Sequence, residues 1–409
     1  MAKIDLSKLK GALKWLGVLR PYAVLLWPAV IALASMLVMA AALIMGTSFR
    51  QRVQKESAPS ANQVKTLLES CVAAGQVEAE RQYQEKYRQD ANLIKSLAAQ
   101  STQRELLSYD IFPWPKDTSA LLFTRFGDRF CQQVEGLIVK VNGQDCPGEA
   151  ELKESLQRGF GGTRMLGRGS SSGVEESRVV EEICQARARS ISVYANPADV
   201  SGYNFWRQYN YSDMNEGVRD CWFWQLGYWI IEDVFSTVDS LNAGSSSVYS
   251  SPVKRVERVG FVTLDNLFGT GGKTPQDRPK YVIESKDQLT ESCTGRMSNE
   301  RIDVVHFSMA VVVSAKDVVS FMEELCRAKE HSFAGYTGGD AAKVFKHNQI
   351  SILESQIRLV GLDSREHQYY RYGSDAVLEV EMICEYIFNK KGYEAVKPEI
   401  AKKDVKPAA

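Results

Sequence analysis

Residues Tyr22 to Gly46 read YAVLLWPAVIALASMLVMAAALIMG, 25 residues without a charge. At 1.5 Å of rise per residue, about 20 helical residues cross a hydrocarbon core of roughly 30 Å. A cleaved signal peptide would carry an apolar region of about 7–15 residues ending in small residues. This run is longer and closes on Leu43, Ile44 and Met45, and no cysteine follows it closely enough for lipid attachment. Pro28 lies near its start, where a missing N–H costs least. The sequence therefore predicts a retained single-pass transmembrane helix over 21–46. Its anchor residues are Leu25, Trp27, Ile31, Leu37 and Leu43, and its first partner is the lipid bilayer.

Orientation follows from the flanks. Lys3, Lys8, Lys10, Lys14 and Arg20 precede the run against Asp5, while Arg50, Arg52, Lys55 and Lys65 follow it. That is a narrow excess for the positive-inside rule. Leu6, Leu9, Leu13 and Leu16 fall at helical spacing with lysines between them. Residues 1–20 then form a basic amphipathic tail suited to an anionic cytoplasmic leaflet, which places residues 47–409 on the far side.

Residues 47–110 read as a helical stalk. Val64, Leu67, Leu68, Cys71 and Val72 share one stripe, and Tyr83, Tyr87, Ala91, Ile94 and Leu97 continue it at steps of three and four. A seam this narrow suits a coiled coil or a helix packed on one partner; an ordinary surface helix is the alternative. Leu67, Leu68, Tyr83, Tyr87, Ile94 and Leu97 are the candidate stalk interface, and Pro113 and Pro115 end the run.

Beyond the stalk, 44% hydrophobic residues suffice for packed cores, and 409 residues allow two or three domains. Fifty basic against fifty acidic side chains exclude a general nucleic-acid binder, which needs a basic surplus. A first α+β lobe is expected over 111–265. It contains a helix faced by Leu122, Phe126, Phe130, Val134 and Ile138, a flexible insertion at 159–173, and a strand at 190–195. A long helix over 213–242 with Trp222, Trp229, Ile230, Val234 and Val238 inward, and a strand at 256–264, complete it. Residues 266–300 read as an irregular linker. In 301–389, Val305, Phe307, Met309, Val311 and Val313 alternate with polar or small residues as a half-buried strand. Ser314 and Asp317 then resemble a capping box, and Val318, Phe321, Met322, Leu325 and Cys326 line a helix. Strands follow at 350–360 and at 378–388, the last with Glu379, Glu381 and Glu385 on an acidic face. Strand–helix–strand–strand predicts a two-layer lobe of ferredoxin type. The tail 390–409, rich in Lys, Ala and Pro, reads as disordered.

The segments IDVVHFSMAVVVSAKDVVSFMEELCRAKE, ISILESQIRLV and AVLEVEMICEYIF, behind a basic tail, one span and a helical stalk, resemble the PilO-like proteins. The local likeness is to the divergent PilO-like proteins of Verrucomicrobia and Planctomycetes, with GspM-type relatives in type II secretion. The resemblance implies an α+β fold of two ferredoxin-like lobes on a coiled-coil stalk. It also implies an inner-membrane location with the bulk in the periplasm. The implied role is a structural subunit of a type IV pilus-like or type II secretion-like platform. That subunit would form homodimers or heterodimers with PilN-like subunits and touch other platform proteins.

The search for chemistry gives no catalytic, metal or cofactor residues. GTGGKT at 269–274 lacks the first glycine of a phosphate loop, because position 267 is Leu. His306, His331, His347 and His367 occur in no ligand spacing, and His306 falls on the strand face away from the core. Eight cysteines include no CxxC; Cys131 and Cys146 are a possible local disulfide on the outer side, while Cys326 and Cys384 sit on inner faces. The expected function is a non-enzymatic scaffold. A membrane-anchored sensor or solute-binding receptor, with Trp222, Trp224 or Trp229 walling a pocket, is the alternative; an anchored enzyme would need polar groups converging in a cleft.

Overall fold

The structure is a computed structural model and describes residues 23–70, 74–160, 172–263, 277–337, 341–362 and 364–403. The basic tail 1–20 and the GTGGKT segment lie outside the described residues, as does most of the 159–173 insertion. The chain forms two compact units, Met1–Gln89 and Asp90–Ala409. The overall class is α+β with one N-terminal helix long and apolar enough to cross a membrane.

That helix, α1, spans Ala23–Ser70 and continues well past the apolar run, through Pro59. A second helix, α2, spans Ala74–Gln100. It stops ten residues before the predicted stalk end. The residues that follow do not continue it because their side chains have a core to enter: Leu106, Leu107 and Ile111 are buried.

The second unit is built around one long helix. The chain passes through α3 (Leu121–Lys140), α4 (Glu149–Phe160), α5 (Ser172–Ser190), the two-residue strand β1 (Tyr194–Ala195) and the short α6 (Tyr203–Arg207) before α7, Met214–Leu241. The predicted faces of α3 and α7 hold: Leu122, Phe126, Phe130, Val134 and Ile138 are buried on α3, and Trp222, Trp229, Ile230, Val234 and Val238 on α7. Asp213 caps α7, its Oδ1 accepting from the Asn215 and Glu216 amides, which satisfies two of the four amides that a helix start leaves free. The rest comprises β2 (Val253–Gly260), β3 (Ile302–Ser314), α8 (Val318–Cys326), β4 (Lys329–Phe333), β5 (Lys343–His347), β6 (Ile350–Leu359), β7 (Val377–Asn389), α9 (Lys390–Tyr393) and α10 (Glu399–Lys403).

Five strands form one sheet in the order β1-β2-β3-β7-β6, with β1 parallel to β2 and every other pair antiparallel. This corrects the reading of two ferredoxin-like lobes. The strand assigned to the first lobe, β2, pairs along β3 of the second, and the two central strands, β3 and β7, are antiparallel neighbours over 13 residue pairs. Periodicity marks each strand but does not name its partner. The hairpin β4–β5 is a separate two-stranded sheet.

Both sheet faces are covered. One face, with Val305, Phe307, Met309, Val311 and Val313, joins α3, α7 and α8 in the main core. The segment read as a linker meets the other face at the Leu289 amide, which donates to His306 Nδ1 at 3.2 Å, and runs alongside β3 where the Val282 amide donates to the Val304 carbonyl at 2.8 Å. The half-buried strand expected at 305–313 is therefore fully buried, and His306 is only 4% exposed. The acidic face of β7 is buried in part as well: Glu385 is wholly enclosed and pairs with Arg296. Ser314 makes no side-chain cap.

The tail is ordered at least to Lys403, against its composition. Tyr393, Val396 and Ala401 are buried, and Lys390 and Lys397 bracket the enclosed Asp303 at 3.1 and 2.5 Å. A carboxylate at the end of a buried strand needs such partners, which is why lysines here mark a docked segment. Cys131 and Cys146 are both free, so the possible disulfide does not form; the Cys131 thiol instead donates to the Tyr203 carbonyl.

Candidate functional site

The anchor residues all lie in α1, and Trp27, Ile31, Leu37 and Leu43 are 60–72% exposed along it. The candidate stalk residues Leu67 and Leu68 in α1, and Tyr83, Tyr87, Ile94 and Leu97 in α2, are likewise exposed, at 53–71%. Apolar side chains repeated on one helix face are costly to leave in water, and a helix with no buried residue of its own gains little tertiary support.

Within the second unit the dominant polar feature is one that no local spacing announces. Trp222, Leu226, Trp229, Asp233 and Thr237 follow one another at steps of three and four on α7, so Asp233 is carried into the core on an aromatic stripe. Arg104, in the segment after α2, meets it with two parallel bonds: Nη1 to Asp233 Oδ2 at 3.0 Å and Nη2 to Oδ1 at 2.8 Å. Nη2 also reaches Glu232 Oε2, and Nη1 reaches the Tyr386 hydroxyl at 3.0 Å. That hydroxyl in turn donates to Asp233 Oδ2 at 2.7 Å. Side-chain exposure is 4% for Arg104 and 3% for Asp233.

The hairpin completes the cluster. His347 Nε2 lies 2.9 Å from Asp233 Oδ2, His347 Nδ1 lies 2.9 Å from His331 Nδ1, and His331 Nε2 lies 2.9 Å from the Gln103 carbonyl. A carboxylate and a carbonyl only accept, so both Nε2 atoms donate, and the two Nδ1 atoms face each other. Burial and the nearby Arg104 guanidinium push His331 down to about 4. Burial by itself would raise the Asp233 carboxyl, but Arg104 and His347 outweigh it and hold it well below the usual carboxylate range. Burial would likewise lower Arg104, and Asp233, Tyr386 and Glu232 raise it instead.

A cavity of about 590 Å³ opens beside this cluster, lined by Arg104, Arg129, Tyr228, Glu232, Asp233 and His331 among others. Arg104 is matched by Asp233 and Glu232 within the cluster, so the arrangement fixes geometry. A second cavity of about 390 Å³ is lined by Asp199, Ser201, Glu257, Arg258, Asp277 and Arg278. Burial there raises Asp199 to about 6, helped by Asp145, and Glu257 to about 7 against the pull of Arg255. Asp277 is held by Arg258, Ser201 and the Phe261 amide. Among the described residues no group of three or more His, Cys, Asp or Glu is arranged to hold a metal ion.

Sequence reasoning missed Arg104, Asp233, His331 and His347 as a group. The one available signal was Asp233, an acid at an inward position of an otherwise apolar helix. The tryptophans weighed as pocket walls are core: Trp222 donates to the Tyr281 hydroxyl at 2.7 Å and Trp229 to the Glu105 carbonyl at 2.9 Å. None of them lines either cavity. No family model, curated protein or solved structure matches the chain.

Proposed function

We propose that the chain is a single-pass membrane scaffold whose output is contact between subunits, with α1 in the bilayer and α2 pairing along its apolar stripe as a coiled coil. The observation that carries this reading is the exposed line Tyr83, Tyr87, Ile94 and Leu97 on a helix with no buried residue. Two copies anchored through α1 point the same way and hold their stripes at equal distance from the membrane, so parallel pairing needs no search for register. The PilO-like resemblance supplies the setting: the inner membrane, a periplasmic bulk, and a pilus-like or type II secretion-like platform with PilN-like partners.

Cysteine crosslinking of full-length protein in membranes tests the pairing. Ile94→Cys and Tyr87→Cys should give disulfide dimers, and substitutions on the opposite face of α2 should not. Equal crosslinking around the whole helix would refute a defined seam. Sidedness is read from Cys293, which is exposed: in a Cys71→Ser background a membrane-impermeant maleimide should label it in cells whose outer layer is permeabilised, and Cys293→Ser should abolish that signal. A receptor is the second reading, favoured only by the 590 Å³ cavity, which lies within the size range of small-ligand sites.

A further inference from the structure

Among the described residues the sheet ends on β6, whose outer side meets no other strand. Its second half is the least covered part of the sheet: residues 354–359 are all exposed, with Ile357 at 49% and Leu359 at 85%. A bulge between Ile352 and Glu354 interrupts the ladder to β7, and beyond it the register is regular from Glu354↔Ile383 to Leu359↔Leu378. An antiparallel strand leaves alternate N–H and C=O groups pointing away from its partner, so β6 offers a free row of them. Proteins usually blunt such an edge with Lys, Pro or shortness; this one is ten residues long and contains neither Lys nor Pro.

The side chains say what pairs with it. Past the bulge, Glu354, Gln356 and Arg358 share one face, and Ser355, Ile357 and Leu359 the other. If a second β6 is laid antiparallel about a two-fold axis at Gln356, residue sums are fixed at one value. Glu354 then stands opposite Arg358, twice. On the other face Ile357 stands opposite Ser355, and Leu359 reaches the bulge. Moving the axis to Glu354 or Arg358 puts like charges opposite each other. Moving it to Ser355 or Ile357 leaves both charges opposite uncharged residues. Of these registers only the one centred on Gln356 sets opposite charges across from each other.

We infer that β6 is a homodimer edge: two copies of this chain pair antiparallel across Gln356, joining their five-stranded sheets into one of ten strands. The inference rests on the scaffold reading for its biological setting and stands on different residues from the α2 stripe. Glu354 and Arg358 already have neighbours within the chain, Thr290 and Glu381, which leave each on the edge with capacity for a further bond.

The test uses full-length protein in lipid nanodiscs or proteoliposomes, in a Cys71→Ser, Cys293→Ser background. Gln356→Cys places two thiols across the axis, at the separation of directly opposed strand residues, and mild oxidation should convert most of the chain to a disulfide dimer. Adding Glu354→Arg or Arg358→Glu should each cut that yield at least fivefold, because both cross-pairs become like-charged. The two charge variants, mixed, should crosslink to each other, and the double swap should restore crosslinking to itself. Tyr87→Glu with Ile94→Glu on α2 should leave the Gln356→Cys crosslink in place if the edge holds by itself. Should the α2 seam fail its own assay while Gln356→Cys protein crosslinks in the charge-dependent pattern, the edge stands and the coiled coil falls. No disulfide dimer from folded Gln356→Cys protein, as when a different protein's strand occupies the edge, overturns the inference. So does a dimer indifferent to the charges.

Discussion

Removing the Arg104 guanidinium is the sharpest probe of the buried cluster. Arg104→Met keeps most of the side-chain volume and deletes four hydrogen bonds, two of them to Asp233. It leaves a carboxylate that is 3% exposed beside Glu232, held by hydrogen bonds from the Tyr386 hydroxyl and His347. Breaking one side of a buried ion pair typically costs about 3–5 kcal/mol, because the remaining charge has lost its water and gained nothing. Asp233→Asn should cost somewhat less, roughly 2–4 kcal/mol, since Arg104 keeps Glu232 and the amide oxygen still accepts from His347. The double variant should cost only about 3–5 kcal/mol in all, well below the sum, giving a coupling of about 2–4 kcal/mol. Urea unfolding of the full chain in detergent reads this out through tryptophan fluorescence. Trp229 sits one turn from Asp233 on α7. Additive costs would refute the claim that the two charges are energetically one unit.

Burial lowers His306 to about 4, so the unfolded chain takes up a proton on this ring that the folded chain refuses between pH 6.5 and 4. Stability therefore falls as pH drops through that window, by up to roughly 3 kcal/mol from this ring, and His306→Gln should flatten the fall in a melting-temperature series. Glu257 has the opposite sign. Raised to about 7, it is protonated in the folded chain and ionised in the unfolded one between pH 4.5 and 7, so stability falls as pH rises through that range. Glu257→Gln should gain about 1–3 kcal/mol relative to the parent at pH 8 and almost nothing at pH 4. A Cβ at Gly392 would lie 2.0 Å from Thr102 Oγ1 and 2.2 Å from the Ala99 carbonyl. Gly392→Ala should then cost about 1–3 kcal/mol, and protease digestion should expose residues 390–403.

What the sequence disclosed is what periodicity can encode. The stripes of α3 and α7 and the alternation along β3 and β7 were readable because each is local. The single sheet was not, because β2 and β3 are separated by about 40 residues and nothing in either strand names the other. The docked tail was misread because lysines and prolines average to a disordered composition, while the fact that decides its fate is one buried acid, Asp303, at the far end of β3. The histidines were dismissed for lack of spacing. They meet because the β4–β5 register sets Lys329 opposite His347 and His331 opposite Phe345, which puts the two rings diagonally adjacent on one face.

The cluster's location explains why charges occupy a place where leucines would be at least as stable. Replacing a buried ion pair with packed apolar groups is often neutral or stabilising, so stability alone does not account for Arg104 and Asp233. The hairpin β4–β5 shares no ladder with the main sheet, and an apolar contact would tolerate a slide along α7. Bonds from His347 to Asp233 and from His331 to the Gln103 carbonyl do not, because each has one distance and one direction. Arg104 and Tyr386 close on the same carboxylate from two other segments, so the hairpin, α7, β7 and the strand-free segment after α2 are fixed at one point. If that is the cluster's work, Arg104→Met with Asp233→Leu should retain much of the parent's stability yet lose its uniqueness. Amide exchange in residues 329–347 should then quicken by more than tenfold while exchange in α3 stays unchanged, and uniform protection would mean that packing alone places the hairpin.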